Sequence, residues 1–375
     1  MTEILQKVVQ NCYNQTSSIE IDRFDNGLLS GGIGICLFNL IYEKQFNLNN
    51  DLSIRKLESL LNLSITEGNL CNGSSGILWV LVKLKENNII EIDNCILDEL
   101  KNHCYNRLIK DLKSENHDFL HGAFGILHVL LLTNYLKVQE INEINNLFRK
   151  ITFNNGCFKT NINGDSNRNG LNLHLAHGIS SYILILCEFY ELKKDEFIYN
   201  SISNHVKILM SKIKYGEYSV FPTSSDNDSR AVRNAWCYGD MGIVLAINKS
   251  GCVLNNSDLK YESKKILKQV MKRKTYRSTL IKDFSVCHGL MGNILTFKTC
   301  LNNLKLEDST VIDFYLDKIL KYYEKFGGRS LMYREDNCYV ENHSILSGYS
   351  GIGLTILSLL DRGVFNWAEI LLLKE

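Results

Sequence analysis

Two short motifs of this chain carry side chains that bind transition metals. A Cys-Tyr-Gly motif begins at Cys237, and a Cys-His-Gly motif begins at Cys287, fifty residues further on. Thiolate sulfur and neutral imidazole nitrogen are the ligands that zinc prefers, and structural zinc sites usually use four of them. The motifs supply three, Cys237, Cys287 and His288, which would leave one coordination position open for a substrate. This hypothesis requires the two motifs to meet in space.

The glycines of these motifs belong to a series of seven Gly-x-x-Gly turns. The turns begin at Gly31, Gly73, Gly122, Gly178, Gly239, Gly289 and Gly348, at spacings of 42 to 61 residues, and serine replaces the second glycine of the fourth turn. An apolar run follows each turn, as at Ile35–Tyr42 and Ile352–Leu360. A long repeat with one recurring signal is typical of a helical array or a closed ring.

The segments between the turns are predicted to be helical. Apolar residues recur at spacings of three and four, as in Leu127, Leu130 and Leu131, and Pro222 is the only proline. Each repeat has room for two helices, so we expect an all-α fold, an α/α toroid with a double ring of about fourteen helices. The ends of the series are as apolar as its middle, which favours closure over an open solenoid with polar caps. Neighbouring fifth and sixth turns would then bring Cys237, Cys287 and His288 together.

The turns recur without a change in character from one end of the chain to the other. We therefore expect a single domain over residues 1–375. Two segments rich in Asn, Ser, Asp and Gly, near residues 150–173 and 215–234, break the helical pattern and are predicted to be irregular loops. Long polar loops on a rigid scaffold commonly carry binding residues.

Composition excludes some classes of partner and favours a cytoplasmic location. The net charge is +1, which argues against nucleic acid, because phosphate binding needs a concentrated basic surface. Residues 1–20 lack the apolar segment of a secretory signal, and no stretch approaches the roughly 18 apolar residues of a membrane span. The twelve cysteines should then be reduced or metal-bound, and Cys36, Cys187 and Cys300 lie in apolar runs typical of a core.

A cysteine or histidine taken alone is more often a core residue than a ligand. Cys71 illustrates this, because it opens a Cys-Asn-Gly sequence that imitates the two motifs. It belongs to the second turn, about three repeats from the fifth in a seven-membered ring, and we leave it out of the metal site. For the set on adjacent turns, repeat geometry alone leaves both interpretations open, a metal site and ordinary core residues.

Longer motifs surround these residues. They are Arg-Asn-Ala-Trp-Cys-Tyr-Gly at 233–239, Leu-Ala-His-Gly at 175–178, Cys-His-Gly at 287–289, and Asp118 ahead of His121-Gly122. With the seven turns, they make the chain resemble the lanthionine synthetase C family, the LanC-like cyclases, over nearly its whole length. The Ser at the second glycine position of the fourth turn departs from the family pattern near His177.

The resemblance implies a reaction and a set of site residues. Family members add a peptide cysteine thiol to dehydroalanine or dehydrobutyrine, which closes a lanthionine or methyllanthionine thioether ring. The family's zinc ligands correspond to Cys237, Cys287 and His288. Its other active-site positions correspond to Asp118, His177, Arg233 and Tyr238.

These residue types suit the chemistry. A free thiol has a pKa near 8.5, and coordination to Zn²⁺ removes its proton. Addition then creates an enolate that needs a proton at the α carbon, for which histidine is the usual acid. Our hypothesis assigns that role to His177, with Asp118 orienting it, and leaves Arg233 and Tyr238 to stabilise the enolate oxygen.

The expected partner is a dehydrated precursor peptide. A dehydratase-like region is not recognisable, so a separate dehydratase and an export transporter are expected by family analogy, and membrane association only through them. Two alternatives stay open. One, within the resemblance, is a LanC-like protein that adds glutathione to dehydrated residues; the other, from another class, is a non-catalytic, zinc-containing toroid that binds peptides. A thiol prenyltransferase subunit is a weaker rival, because its zinc set normally includes an aspartate and it needs a cationic surface for diphosphate.

Overall fold

The computed structural model describes residues 2–63, 67–152, 156–160, 170–335 and 338–374. Within them lie fifteen α-helices and one small antiparallel sheet. The helices are α1 (Thr2–Ser17), α2 (Gly32–Gln45), α3 (Asp51–Leu61), α4 (Ser74–Glu86), α5 (Asn94–Lys113), α6 (Ala123–Leu132), α7 (Val138–Ile151), α8 (Ile179–Leu192), α9 (Glu196–Ser211), α10 (Asp240–Val253), α11 (Ser257–Val270), α12 (Tyr276–Thr279), α13 (Leu290–Leu304), α14 (Thr310–Phe326) and α15 (Tyr349–Leu359). The strands are β1 (Tyr333–Glu335) and β2 (Cys338–Val340), with Tyr333 opposite Val340.

Every glycine turn starts a helix. The helices α2, α4, α6, α8, α10, α13 and α15 each begin at the residue that follows the first glycine of a turn. The serine in the fourth turn does not change this, since Gly178 still precedes the first residue of α8. Apart from the four-residue α12, the described residues thus contain seven helices that follow turns and seven others, as the repeat spacing predicted.

The helices that follow turns are buried and the others are half-exposed. In α2, twelve of the fourteen residues are buried, whereas in α7 only three of fourteen are. A helix that is apolar on all sides belongs in a protein core, and one with a single apolar stripe covers that core. The apolar run after each turn was predicted to be the buried helix, and α2, α4, α6, α8, α10 and α15 confirm this.

The chain forms two compact units. One contains Met1–Cys104, Lys282–Leu295 and Ser309–Lys374; in it α15 packs against α1 and α2, and α2 packs against α3 and α4. The other contains Tyr105–Ile281 and Thr296–Asp308; in it α8 packs against α6, α9 and α10, and α10 packs against α11. Within each unit, helices that follow successive turns are therefore neighbours, and α15 with α2 joins the seventh turn to the first.

Backbone hydrogen bonds link the turns at one repeated position, two residues before the first glycine. We call these bonds the amide ladder. In the first unit the N–H groups of Cys287, Leu346 and Leu29 donate to the carbonyls of Leu346, Leu29 and Cys71, at 2.8, 3.0 and 3.0 Å; in the second unit Ala176 N–H donates to the Cys237 carbonyl at 3.2 Å. The ladder fixes the backbone of the residue that leads into each of these turns.

Gly289 shows why the turns need glycine. A β carbon added there would overlap the amide nitrogen of Ser285 and come within 2.5 Å of Asp283 Oδ1. The tight approach allows Leu290 N–H to reach the Asp283 carbonyl at 3.0 Å, which closes the turn at the start of α13. Only a residue without a side chain fits such a close backbone contact.

The stretch from residue 215 to 234 contains neither helix nor strand, and a buried ion pair holds it in place. Asp240, at the start of α10, accepts hydrogen bonds from Ser219 Oγ at 2.5 Å and from the amide of Val220 at 2.9 Å. Arg273 Nη1 lies 3.2 Å from Asp240 Oδ2, and its Nη2 donates to the Val232 carbonyl at 2.6 Å. Both side chains are almost completely buried.

Replacing Arg273 with methionine should therefore destabilise the protein strongly. The change leaves the Asp240 carboxylate buried without its cation, which we expect to lower the free energy of unfolding by about 3–5 kcal/mol. Urea unfolding followed by circular dichroism measures the loss. The adjacent, exposed Lys272→Met is the matched control and should stay within about 0.5 kcal/mol of wild type. A loss below about 1 kcal/mol in Arg273→Met would contradict a stabilising pair.

None of the twelve cysteines lies in a disulfide bond in this structure. Cys36, Cys187 and Cys300 are buried, as their apolar surroundings in the sequence predicted. Burial raises the pKa of the Cys36 thiol to about 12 and that of Cys104 to about 11, so these side chains are unreactive core residues. Of the helices in the described ranges, none combines the length and hydropathy needed to cross a bilayer.

Candidate metal and acid–base site

The three predicted metal ligands lie together. Cys237 Sγ, Cys287 Sγ and a ring nitrogen of His288 are all within 4.8 Å of one another. A tetrahedral zinc ion bound at about 2.0–2.3 Å would need its ligands within about 4 Å, so small side-chain shifts suffice. Two thiols and one imidazole are a donor set that fits zinc. In the part of the chain that the structure describes, this is the one group of three or more metal-binding side chains, and Cys71 is not in it.

The two cysteines occupy the position of the amide ladder. Cys287 donates its N–H to Leu346, and the carbonyl of Cys237 accepts from Ala176. These bonds use backbone groups only, so the ladder itself does not engage the two thiols. Cys237 is 9% exposed, and Cys287 and His288 are half-buried, so the donor atoms sit at the border between core and solvent.

His177 and Asp118 form a hydrogen-bonded pair. His177 Nδ1 lies 2.7 Å from Asp118 Oδ2, and the other carboxylate oxygen accepts the backbone N–H of His121 at 2.8 Å. Burial opposes a charge on the imidazole, but the hydrogen bond and the charge of Asp118, together with Cys237, outweigh it and raise the pKa of His177. The pair therefore favours the charged form of His177, in which Nε2 carries the second N–H.

Tyr238 is held against His177 by a side chain of the preceding turn. Asn172 Nδ2 donates to Tyr238 Oη at 2.8 Å, and Asn172 is 2% exposed. The ring of Tyr238 lies 6.4 Å from that of His177 and 5.0 Å from that of His174. Because Oη accepts this bond, its own hydrogen cannot point at Asn172 and is directed elsewhere.

The remaining predicted residue, Arg233, is half-exposed and stands six residues before Gly239. Among the residues that the structure describes, no hydrogen bond or ion pair reaches its guanidinium. Its position on the fifth turn places it on the segment that also carries Cys237 and Tyr238. A guanidinium without an internal carboxylate can bind an anionic oxygen of a ligand.

Comparison with known proteins decides the family. A model of the lanthionine synthetase C-like protein family matches residues 23–372. The chain belongs to this family. It is 26% identical to the nisin biosynthesis protein NisC of Lactococcus lactis subsp. lactis, over 89% of this chain and 84% of that protein. It is also 26% identical to the lacticin 481/lactococcin biosynthesis protein of the same organism, over 50% of this chain and 19% of that much longer protein.

A solved structure confirms the fold of this LanC-like chain. Nisin cyclase matches it with a TM-score of 0.70 and 20% identity, over 98% of this chain and 96% of that one. Nisin cyclase is an α/α toroid, and the fold class predicted from the seven turns is confirmed. The small β1–β2 sheet was not predicted, and its Tyr333 packs edge-on against the ring of His288, with centroids 5.3 Å apart.

Sequence reasoning on the LanC-like chain overlooked a second repeated position, six residues before the first glycine. It is occupied by Asp25, Glu67, Asn116, Asn172, Arg233, Asp283 and Asn342. Three of these seven residues are connected with the predicted site. Asn172 binds Tyr238 and Asp283 lies beside His288, while Arg233 is itself a predicted site residue. Aligning the seven turns further upstream would have found it, because the recurring Asp and Asn stand in register.

Proposed function

We propose that this protein is a zinc-dependent lanthipeptide cyclase, which closes thioether rings by adding peptide cysteine thiols to dehydroalanine or dehydrobutyrine. The carrying observation is the approach of Cys237, Cys287 and His288 to within 4.8 Å, in a chain similar over 89% of its length to a nisin biosynthesis protein. The acid–base pair of His177 and Asp118 supports the same reading, because the addition needs a proton donor as well as an activated thiol.

Cys237, Cys287 and His288 would hold the metal. Bound zinc would supply Lewis acidity that keeps a coordinated substrate thiol deprotonated at neutral pH, where a free thiol is mostly protonated. The two protein thiolates bring negative charge to the site, which favours a nucleophilic rather than a tightly held substrate sulfur. The half-buried position of Cys287 and His288 leaves a side of the site accessible to a peptide.

His177 would provide the proton that completes the addition. The substrate thiolate attacks the β carbon of the dehydrated residue, and the electron pair of the carbon–carbon double bond moves onto the carbonyl as an enolate. Nε2 of His177 then gives its proton to the α carbon, since Nδ1 is engaged by Asp118. Asp118 keeps the imidazole oriented and stabilises its charged form.

Tyr238 and Arg233 would stabilise the enolate oxygen. Asn172 donates to the hydroxyl oxygen of Tyr238 and fixes the position of the phenol on the fifth turn, beside Cys237. A phenol O–H and a guanidinium near a developing oxyanion lower the barrier because they need no rearrangement when the charge appears. The substrate would be a precursor peptide that another enzyme, a dehydratase, has already dehydrated.

The first test is the metal content of the purified protein. We expect about one zinc per chain in wild type and its loss in Cys287→Ala, because two remaining ligands bind weakly. Cys71→Ala is the matched control: it removes a cysteine from the same position of another turn and should retain zinc. A well-folded wild type without zinc, prepared without chelators, would refute the proposed cyclase.

Turnover separates the proposal from its two alternatives. A dehydrated, cysteine-containing peptide should lose its free thiol at unchanged mass in the presence of the zinc-loaded protein. A mass gain of one glutathione, in a reaction that contains it, would indicate the glutathione-adding activity. Retained zinc without thiol consumption would indicate a binding toroid.

A further inference from the structure

The side chain six residues before the first glycine has a structural task that recurs between turns. One of its oxygens accepts the backbone N–H two residues further on. Asp25 binds Gly27 in this way at 2.9 Å, Asn172 binds His174 at 3.0 Å, Asp283 binds Ser285 at 2.9 Å and Asn342 binds Ser344 at 3.0 Å. Since asparagine performs this task at two of these turns, the task does not require a carboxylate.

Asp283 differs from the other residues at this position because its second carboxylate oxygen, Oδ2, is buried without a hydrogen bond from any residue that the structure describes. The side chain is 1% exposed, and Oδ2 has no hydrogen-bond partner among the described residues. Oδ2 lies 3.8 Å from Nε2 of His288, one of the three clustered metal-binding side chains. The comparable carboxylate of Asp25 is exposed to solvent, where a charge is stable without a partner. Burying a carboxylate without a full set of hydrogen-bond partners costs free energy of folding. The turn requires only one oxygen, so it does not explain why a carboxylate stands at position 283.

Two neighbouring side chains, those of Asp283 and Tyr333, contact the imidazole ring of His288. Nε2 faces Asp283, and the ring of Tyr333 packs edge-on against the imidazole. The backbone is fixed as well, because the His288 N–H approaches Ser285 Oγ at 3.4 Å and Ser285 is itself bound by Asp283. Asp283 thus contacts both the loop that carries His288 and the ring nitrogen of that residue.

We propose that Asp283 is a positioning residue for the metal site: its Oδ2 accepts the Nε2 hydrogen of His288 and thereby presents Nδ1 as the ligand atom. This inference rests on the proposed zinc site. A carboxylate behind a ligating imidazole fixes its tautomer and its orientation and increases its basicity. A small rotation of the ring closes the 3.8 Å separation to hydrogen-bond length.

The decisive variant is Asp283→Asn. It keeps the turn-forming oxygen and nearly the same volume, and asparagine already stands at the equivalent place in other turns. It removes the charge and turns an N–H group towards Nε2, which favours the wrong tautomer. We expect zinc affinity, measured by competition with a chromophoric chelator, to fall about 10- to 100-fold. Asp25→Asn, the same change at an exposed turn, should leave the affinity unchanged.

A second measurement uses the unaltered protein and does not depend on the folding of a variant. With ¹⁵N-labelled histidine and zinc bound, the nuclear magnetic resonance pattern of His288 shows which ring nitrogen carries hydrogen; His288→Ala assigns the signals. Hydrogen on Nε2 supports the proposal, and hydrogen on Nδ1 overturns it. Wild-type affinity in Asp283→Asn also overturns it, while the zinc site itself survives. If wild type binds no zinc, the proposed cyclase and this inference both fail.

Discussion

Substitution of His177 by alanine is expected to slow thioether formation about 10²- to 10⁴-fold while zinc stays bound. The imidazole would be the only group that delivers the proton to the α carbon, and its Nδ1 is held at 2.7 Å by Asp118. Removing it leaves water to protonate the enolate. The rate is measured by the loss of free thiol from a dehydrated peptide, with metal content as the control for the zinc ligands.

The pH dependence gives a sharper test of the same role. An acid works only while it is protonated, so the wild-type rate should fall as pH rises through the raised pKa of His177. Asp118 is what raises that pKa against the effect of burial. In Asp118→Asn the falling limb should therefore move to lower pH. Retained zinc with unimpaired ring closure in His177→Ala, or a pH profile unchanged in Asp118→Asn, would remove His177 from the mechanism.

Mild acid should unfold this protein, because three buried histidines resist protonation. Burial lowers the pKa of His117, His174 and His205 to about 4 each. The unfolded chain takes up these protons near pH 6.5 but the folded chain does not. Their contribution to stability is complete above pH 6.5 and is lost as pH falls towards 4, at about 1.4 kcal/mol per proton and pH unit. By pH 5 the three histidines together lower the free energy of unfolding by about 6 kcal/mol, which is comparable with the whole stability of many domains.

Urea unfolding at a series of pH values between 7.5 and 5 measures this dependence. His205→Gln should reduce the slope by about one proton, since His205 is fully buried, where its Nε2 accepts the Phe158 N–H at 3.1 Å. The exposed His103→Gln is the matched control, because its imidazole reaches solvent in either state. Stability that stays level between pH 6.5 and 5 would show that the buried histidines are protonated in the fold.

The helices and the proximity of Cys237, Cys287 and His288 could be predicted from the sequence, because both depend on the same repeated signal. Each glycine turn precedes an apolar run, and a helix that is apolar all round has to be buried. Cys237 and Cys287 stand at the same position of consecutive turns, so the register of the repeat was enough to bring them together. The family motifs then supplied His177, Asp118, Arg233 and Tyr238, whose catalytic roles stay predictions.

The features that escaped prediction are side-chain contacts between segments without a shared pattern. The bond from Asn172 to Tyr238 joins residues 66 positions apart, and either residue alone is an ordinary turn residue. The ion pair of Asp240 and Arg273 is similar. Arg273 lies in a short run of basic residues, 272–274, which from the sequence alone indicates a solvated helix face, yet it is 3% exposed. Such pairs depend on how loops fold over helix ends, which hydrophobic periodicity does not encode.

The amide ladder separates the architecture of this fold from its chemistry. The bonds that connect Cys287, Leu346, Leu29 and Cys71 involve only main-chain atoms, so the side chain at each of these places is free to vary without a change in the connection. Leucine fills two of the places and cysteine two. Cys71 already carries a thiol there, and Leu29→Cys with Asn72→His would repeat at the first and second turns the residue pattern of the fifth and sixth. A lineage could therefore gain, lose or move a metal centre by a few point substitutions, while the scaffold that presents it is inherited intact.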